Sequence, residues 1–313
     1  MYREKVLGGM LGVVVGDALG LPVQFLSREE VRQNPIHGMT GYGTFNTPPG
    51  TWSDDTSLTL CLAESLSSKG YQPEDIALRF LRWYREGYWT PFGEAFDIGG
   101  ATREAMEQLM AGIPPLEAGP NHERSNGNGS LMRILPAVLY FAHAPESEML
   151  QRVCEVSRIT HGHPRSQLAC CLYALLVKEL LAGKAPLEAY REMRDKESIF
   201  IGTPMEKELP HFQRLLSGLL PSLPEGAIKS GGYVVDTLEA AIWCLLNHTD
   251  FRSTLLAAVN LGEDTDTVGA VTGGLAGVLY GKSAIPAEWL AVISGYQDIE
   301  ALCRRFLNCL PWQ

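Results

Sequence analysis

Residues 261–281, LGEDTDTVGAVTGGLAGVLYG, set two carboxylates, Asp264 and Asp266, at the mouth of an apolar, glycine-rich helix. Thr267 follows, and no further charge appears before Lys282. A glycine inside a helix costs about 1 kcal/mol relative to alanine, so a series of them needs a packing reason. Deleting Cβ along one face lets another backbone approach closely. The same spacing occurs near the N-terminus, where Gly8, Gly9, Gly12 and Gly16 repeat the offsets of Gly273, Gly274, Gly277 and Gly281. The pattern predicts two tightly packed central helices, each a candidate partner for the other.

Outward from this pair, helical periodicity dominates and alternating strand patterns are nearly absent. Helices are expected over residues 2–19, 54–69, 73–87, 97–111, 129–142, 146–160, 163–182, 205–219, 232–248, 250–261, 266–280 and 296–308. The expected fold is all-α, with residues 1–313 as a single helical domain. Long loops at 34–52, 112–128 and 220–231 are candidates for functional segments.

Net charge is −10, which argues against a broad nucleic-acid or acidic-membrane surface. A phosphate can still be held locally by backbone amides. The seven cysteines include no CxxC pair, and most lie in apolar helical patterns. They suggest a reduced, cytoplasmic protein. The N-terminal stretch MYREKVLGGMLGVVVGDALG superficially resembles a signal peptide, but its glycines and Asp17 suit a core helix better.

A second acidic helix start lies at GTWSDDTSLTL, where Ser53, Asp54 and Asp55 precede an apolar helix. Either cluster alone reads as a helix cap. Capping needs one oxygen, however, and both clusters offer two carboxylates and a hydroxyl. Such oxygens are hard ligands for Mg²⁺ or Mn²⁺, and two converging clusters would hold two ions. Asp17, in apolar surroundings, must be paired, hydrogen-bonded or metal-linked; it is equally suited to tying loops together through their amides. Asp97, in FDIGGATREAM, has the position of a helix cap. The loop RSNGNGSLMRILP opens a helix with free amides, which suits phosphate or ribose. His161 and His163 have the HxH spacing of a zinc site but no third ligand nearby.

Taken in order, GDALG at 16–20, WSDDT at 52–56, DIGGAT at 97–102, NGNGSLMR at 126–133, TH at 160–161, GYVVDTLEAA at 232–241 and DTDTVGA at 264–270 make the chain resemble the ADP-ribosylglycohydrolases. The motifs are specific jointly and extend through nearly the whole chain. The resemblance implies an all-α fold with two Mg²⁺ or Mn²⁺ ions, held by Ser53, Asp54, Asp55, Asp264, Asp266 and Thr267. It implies hydrolysis of the glycosidic bond at C1″ of ADP-ribose, borne by an ADP-ribosylated protein or a small conjugate. By the same match, Asn126, Gly127, Asn128, Gly129, Ser130, Met132 and His161 hold the diphosphate and its riboses, and Tyr233 offers an aromatic face. Asp97 matches the aspartate that lies near the guanidinium in arginine-directed members.

Asp55 and Asp97 are the candidate bases, with neither preferred. Gln24 stands where many members carry glutamate, and Glu263 where glycine is common. ADP-ribosylarginine is the expected substrate. A hydrolase of O-acetyl-ADP-ribose or ADP-ribosylserine would keep the same ligands and change the leaving-group side. A noncatalytic ADP-ribose-binding module would keep the 126–133 loop without turnover.

Overall fold

Two helices meet through their backbones along most of their length. The computed structural model describes residues 2–310. Helix Tyr2–Gly20 runs antiparallel to helix Thr265–Tyr280. A Cβ added to Gly8, Gly12 or Gly16 would fall 2.3, 2.0 or 2.0 Å from the carbonyl oxygen of Gly277, Gly273 or Gly269. The contact is reciprocal, since a Cβ on Gly277, Gly273 or Gly269 would meet the facing oxygen at 1.9, 2.0 or 2.3 Å. The expected close packing is therefore present, with one correction. Gly269, not Gly281, completes the second stripe; Gly281 lies past the helix end at φ 83° and serves as its C-terminal cap.

The first helix and the turn that follows it, residues 2–23, are long and apolar enough to cross a membrane, but from Lys5 to Val23 the segment is buried. It is the central core helix. Helices Asp54–Lys69, Pro164–Leu181, Val234–Asn247, Phe251–Val259 and Tyr296–Cys309 pack around the central pair. Their buried faces join one apolar core that includes Leu11, Leu58, Leu62, Leu172, Leu238, Val271 and Phe306.

Among the described residues no strand forms, and only two isolated bridges interrupt the helices and turns. Helix Asp54–Lys69 has the expected bounds. Three expectations need correction. The helix expected from 97 starts at Gly100, after a turn. The one expected from 129 is a 3-10 turn, Leu131–Arg133, then helix Leu135–Phe141. The stretch 205–219 holds a 3-10 segment, Glu206–Phe212, and one α turn, Gln213–Leu216. Pro210 lacks the N–H that a continuous helix requires there. Three short helices, Arg28–Gln33, Pro186–Asp195 and Ala287–Leu290, were not expected. The first carries a readable signal, the capping box of Ser27 and Glu30.

The glycine contact also positions the acids. The Thr265 hydroxyl donates to the Gly20 carbonyl at 2.8 Å, fixing the start of one acidic helix to the end of the first. Asp17 fixes the other: its carboxylate accepts from the Ser53 N–H at 2.9 Å, the Thr56 N–H at 3.0 Å and the Thr56 hydroxyl at 2.6 Å. Asp17 thus ties loop and helix together, as one of its two readings held. Burial pushes its pKa up to about 7 against the pull of these donors.

Candidate active site

The ends of these helices floor a cleft of about 860 Å³. Asp54, Asp97, Asp264, Thr267 and Gln24 form its acidic lining; His161, Arg124 and Gly127–Gly129 also line it, and Asn128 joins the two groups through Asp264.

The acidic end is not explained by capping. Asp264 stands at the N-cap position of helix Thr265–Tyr280 but makes no capping bond. Its carboxylate instead accepts from the Asn128 amide at 2.6 Å and, at 3.5 Å, from the Gln24 amide. Asp97 is also no cap, because Gly99 holds that position in its helix. Asp97 accepts from Gln24 Nε2 at 2.9 Å. Gln24, 3% exposed, is therefore a neutral donor between two carboxylates. A glutamate there would add another acid to the cluster and bring no donor.

Asp55 lies behind the cleft wall. Its Oδ2 accepts from the Ser53 and Thr267 hydroxyls at 3.2 and 3.4 Å, which joins the two acidic clusters directly. Asp266 accepts from the Thr267 N–H at 2.8 Å. Burial raises the pKa of Asp54, Asp55, Asp264 and Asp266, and neighbouring carboxylates add to each shift. The largest contributions to these shifts include no cation. Asp55 Oδ1 and Asp266 Oδ2 are buried and have no hydrogen-bond partner.

A hard divalent cation fits this donor set. Unpartnered carboxylate oxygens, hydroxyls at both helix starts and uncompensated negative charge are what such an ion requires. Among the described residues no three His, Cys, Asp or Glu side chains close on one point as a ready cage.

The loop side of the lining is built around His161, 2% exposed. A Cβ on Gly129 would fall 2.7 Å from His161 Cε1, so only glycine allows the loop to lie against the ring. Arg133 donates to the Thr160 hydroxyl at 2.6 Å, and that hydroxyl lies 2.9 Å from His161 Nδ1. The Thr160 oxygen can accept from both Arg133 and Nδ1–H or donate its own proton to Nδ1, and the second arrangement leaves Nε2–H as the donor of His161. Burial, with Arg133 nearby, pushes its pKa down to about 3. Sequence reasoning missed Arg133 and Thr160 as supports of this ring, since nothing local links 133 to 160.

This arrangement has a testable consequence. Thr160→Val removes the partner of Nδ1, and ADP-ribose affinity should fall about 5- to 10-fold, the scale of one hydrogen bond. The ¹⁵N shifts of the ring should then show mixed tautomers. Because the folded pKa lies below the unfolded value of about 6.5, the neutral ring contributes stability that is complete above pH 6.5 and is lost as pH falls toward 3. An unchanged affinity and tautomer in Thr160→Val would rule out this support.

Other expected binding residues are placed differently. Gly127, Asn128, Gly129 and Met132 line the cleft, although the Asn128 amide is committed to Asp264 and Thr237. Ser130 is fully buried and bonds Ser157 and Cys170 beneath the loop. Asn126 and Tyr233 are outside the lining residues; their backbones hold the loop through Val234 N–H to Asn126 O at 3.0 Å and the Gly127–Tyr233 bridge. The Tyr233 ring is covered by Arg165, 5.9 Å from its centre. The HxH pair divides: His163 caps helix Pro164–Leu181 by accepting from the Arg165 N–H at 3.1 Å.

The family described as ADP-ribosylglycohydrolase matches residues 1–312. A Pseudomonas putida (strain GB-1) protein named ADP-ribosylarginine hydrolase Tri1 is 34% identical over 98% of this chain and 79% of its own. The ADP-ribosyl-[dinitrogen reductase] glycohydrolase of Rhodospirillum rubrum is 32% identical over 98% of this chain and 96% of its own. A solved structure described as an ADP-ribosylglycohydrolase-related protein complex superposes with TM-score 0.83 at 37% identity, covering 98% of both chains.

Proposed function

Because the chain belongs to the ADP-ribosylglycohydrolase family and is a hydrolase, we propose that it removes ADP-ribose from arginine by cleaving the N-glycosidic bond at C1″. The observation that carries this reading is Asp97, which stands in the cleft beside the acidic cluster and caps no helix. Relatives at 34–35% identity are named ADP-ribosylarginine hydrolases, which supports the same leaving group.

Hydrolysis adds a water oxygen to C1″ and breaks the bond from C1″ to the guanidine nitrogen. The electron pair leaves with that nitrogen, which ends protonated. Asp97, the one base candidate that lines the cleft, takes the proton of the attacking water and passes it to the departing nitrogen; Asp55 is walled off. The departing guanidinium presents a planar donor fork that suits the same carboxylate. Gln24 keeps Asp97 in place through its 2.9 Å bond. His161 Nε2–H and the 127–129 loop hold the diphosphate end. Mg²⁺ or Mn²⁺ would be held by Ser53, Asp54, Asp55, Asp264, Asp266 and Thr267; bound, it orients ribose hydroxyls and lowers the pKa of water.

Asp97→Asn tests this reading. It should reduce kcat/KM on ADP-ribosylarginine about 30-fold or more, about 2 kcal/mol in the barrier. ADP-ribose affinity should stay near that of the unaltered protein. Full turnover on the arginine conjugate would remove Asp97 from the chemistry, and with it the main argument for arginine over serine.

A further inference from the structure

Three non-glycine residues with left-handed backbone border the cleft at its acidic end: Phe25 at φ 69°, Asp97 at φ 58° and Glu263 at φ 65°. Side chains are held in this region only where the surroundings enforce it, and such positions cluster at ligand sites. Phe25 and Glu263 are coupled directly. The Phe25 N–H donates to the Glu263 carbonyl at 2.6 Å, and the Glu263 N–H donates to the Leu26 carbonyl at 2.6 Å. Both side chains line the cleft.

The Phe25 ring is 66% exposed, which is unusual for a residue whose backbone is so constrained. It is not loose: its ring centre lies 6.2 Å from that of Phe45, which lies 5.5 Å from that of Phe96. This ladder connects the neighbour of Gln24 to the neighbour of Asp97. Glu263 is exposed and forms no ion pair among the described residues. A Cβ on Gly231 would come within 2.9 Å of its Oε2, so its carboxylate lies over that part of the cleft wall.

From this we propose that Phe25 and Glu263 form an outer rim that reads the guanidinium of the ADP-ribosylated side chain, an inference that rests on the arginine reading above. An open aromatic face and an unpaired carboxylate, held together by the backbone bonds of Glu263 to Phe25 and Leu26, suit a planar cation. A serine oxygen or an acetyl ester carries no positive charge for them to hold. The rim is a specificity device and takes no part in the bond-breaking step.

The test compares ADP-ribosylarginine with an ADP-ribosylserine peptide, using the unaltered protein, Phe25→Leu, Glu263→Gln and Glu263→Gly, with binding of ADP-ribose measured by calorimetry. Glu263→Gly relieves the left-handed strain, so loss of fold does not confuse the result. The rim predicts a KM for the arginine conjugate raised about 10-fold in both Glu263 variants and about 3-fold in Phe25→Leu. It also predicts kcat and ADP-ribose affinity within about twofold of normal. The KM of the unaltered protein should rise with salt, and that rise should flatten in Glu263→Gln. If the unaltered protein cleaves the arginine conjugate and none of the variants changes its KM, the rim is wrong and the arginine reading stands. If the unaltered protein cleaves only the serine peptide, the arginine reading falls and the rim falls with it.

Discussion

Asp54→Ala and Asp266→Ala should each lower turnover by about three orders of magnitude, ~4 kcal/mol in the barrier, while leaving the metal-free fold as stable as before or more so. The two halves of this expectation come from the same charge cluster. Both carboxylates are buried, and the neighbours that add to their raised pKa values are other aspartates. Removing either relieves repulsion that no cation offsets. Among the described residues Asp54 makes no side-chain hydrogen bond that would be lost, and Asp266 loses the one from the Thr267 N–H at 2.8 Å and its contact with Asp264. Residues kept for folding show the opposite behaviour, since their loss lowers stability first. Melting in the presence of a chelator, paired with single-turnover assays, separates the two cases. A lower melting temperature with retained activity would mean that the acids are structural.

Gly12→Ala or Gly277→Ala should destabilise the protein by ~4 kcal/mol or more. The usual cost of overpacking is about 1–3 kcal/mol, but that assumes side chains that can move aside. Here the added Cβ of residue 12 would lie 2.0 Å from the Gly273 carbonyl oxygen, and that of residue 277 would lie 1.9 Å from the Gly8 oxygen. Both obstacles are helix backbone, so the two helices must separate along their length. Separation would also displace Thr265 from Gly20 and disturb the acidic floor, so activity should fall with stability. Gly100→Ala is the control, since a Cβ there meets nothing within 4 Å. Its effect should be neutral or slightly stabilising. Equal melting temperatures for Gly12→Ala and Gly100→Ala would refute the backbone contact.

Features carried by local pattern were legible in the sequence. The helix Asp54–Lys69 has an N-cap serine, an apolar face and a terminal Gly70, and its bounds were read correctly. The glycine spacing identified the central pair because the four-residue repeat is itself the contact. One member was misplaced: Gly281 matches the offset but ends the helix, whereas Gly269 lies in the stripe without an equivalent in the N-terminal offsets. Asp97 looked like a cap because DIGG precedes a helical pattern, and only the three-dimensional turn sets it apart from helix Gly100–Met110. Ser130 and Tyr233 were assigned to the cleft by motif. A motif marks a segment, and within it side chains alternate between the ligand side and the packing side. The supports were illegible for a different reason. Arg133 reaching Thr160, Gln24 reaching Asp97 and Phe25 pairing with Glu263 are contacts between distant segments, and they leave no periodic trace.

The proposed metal centre lies where two acidic helix starts are brought together by the glycine contact. Calorimetric titration of the chelator-stripped protein with Mn²⁺ tests it directly, with bound metal confirmed by mass spectrometry of the intact chain. Two ions per chain are expected for the unaltered protein and at most one for Asp54→Ala and Asp266→Ala, with metal-dependent stabilisation of about 2.7 kcal/mol per bound ion at a hundredfold excess over Kd. Absence of Mn²⁺ binding to the unaltered protein, or two ions retained in both variants, would contradict it.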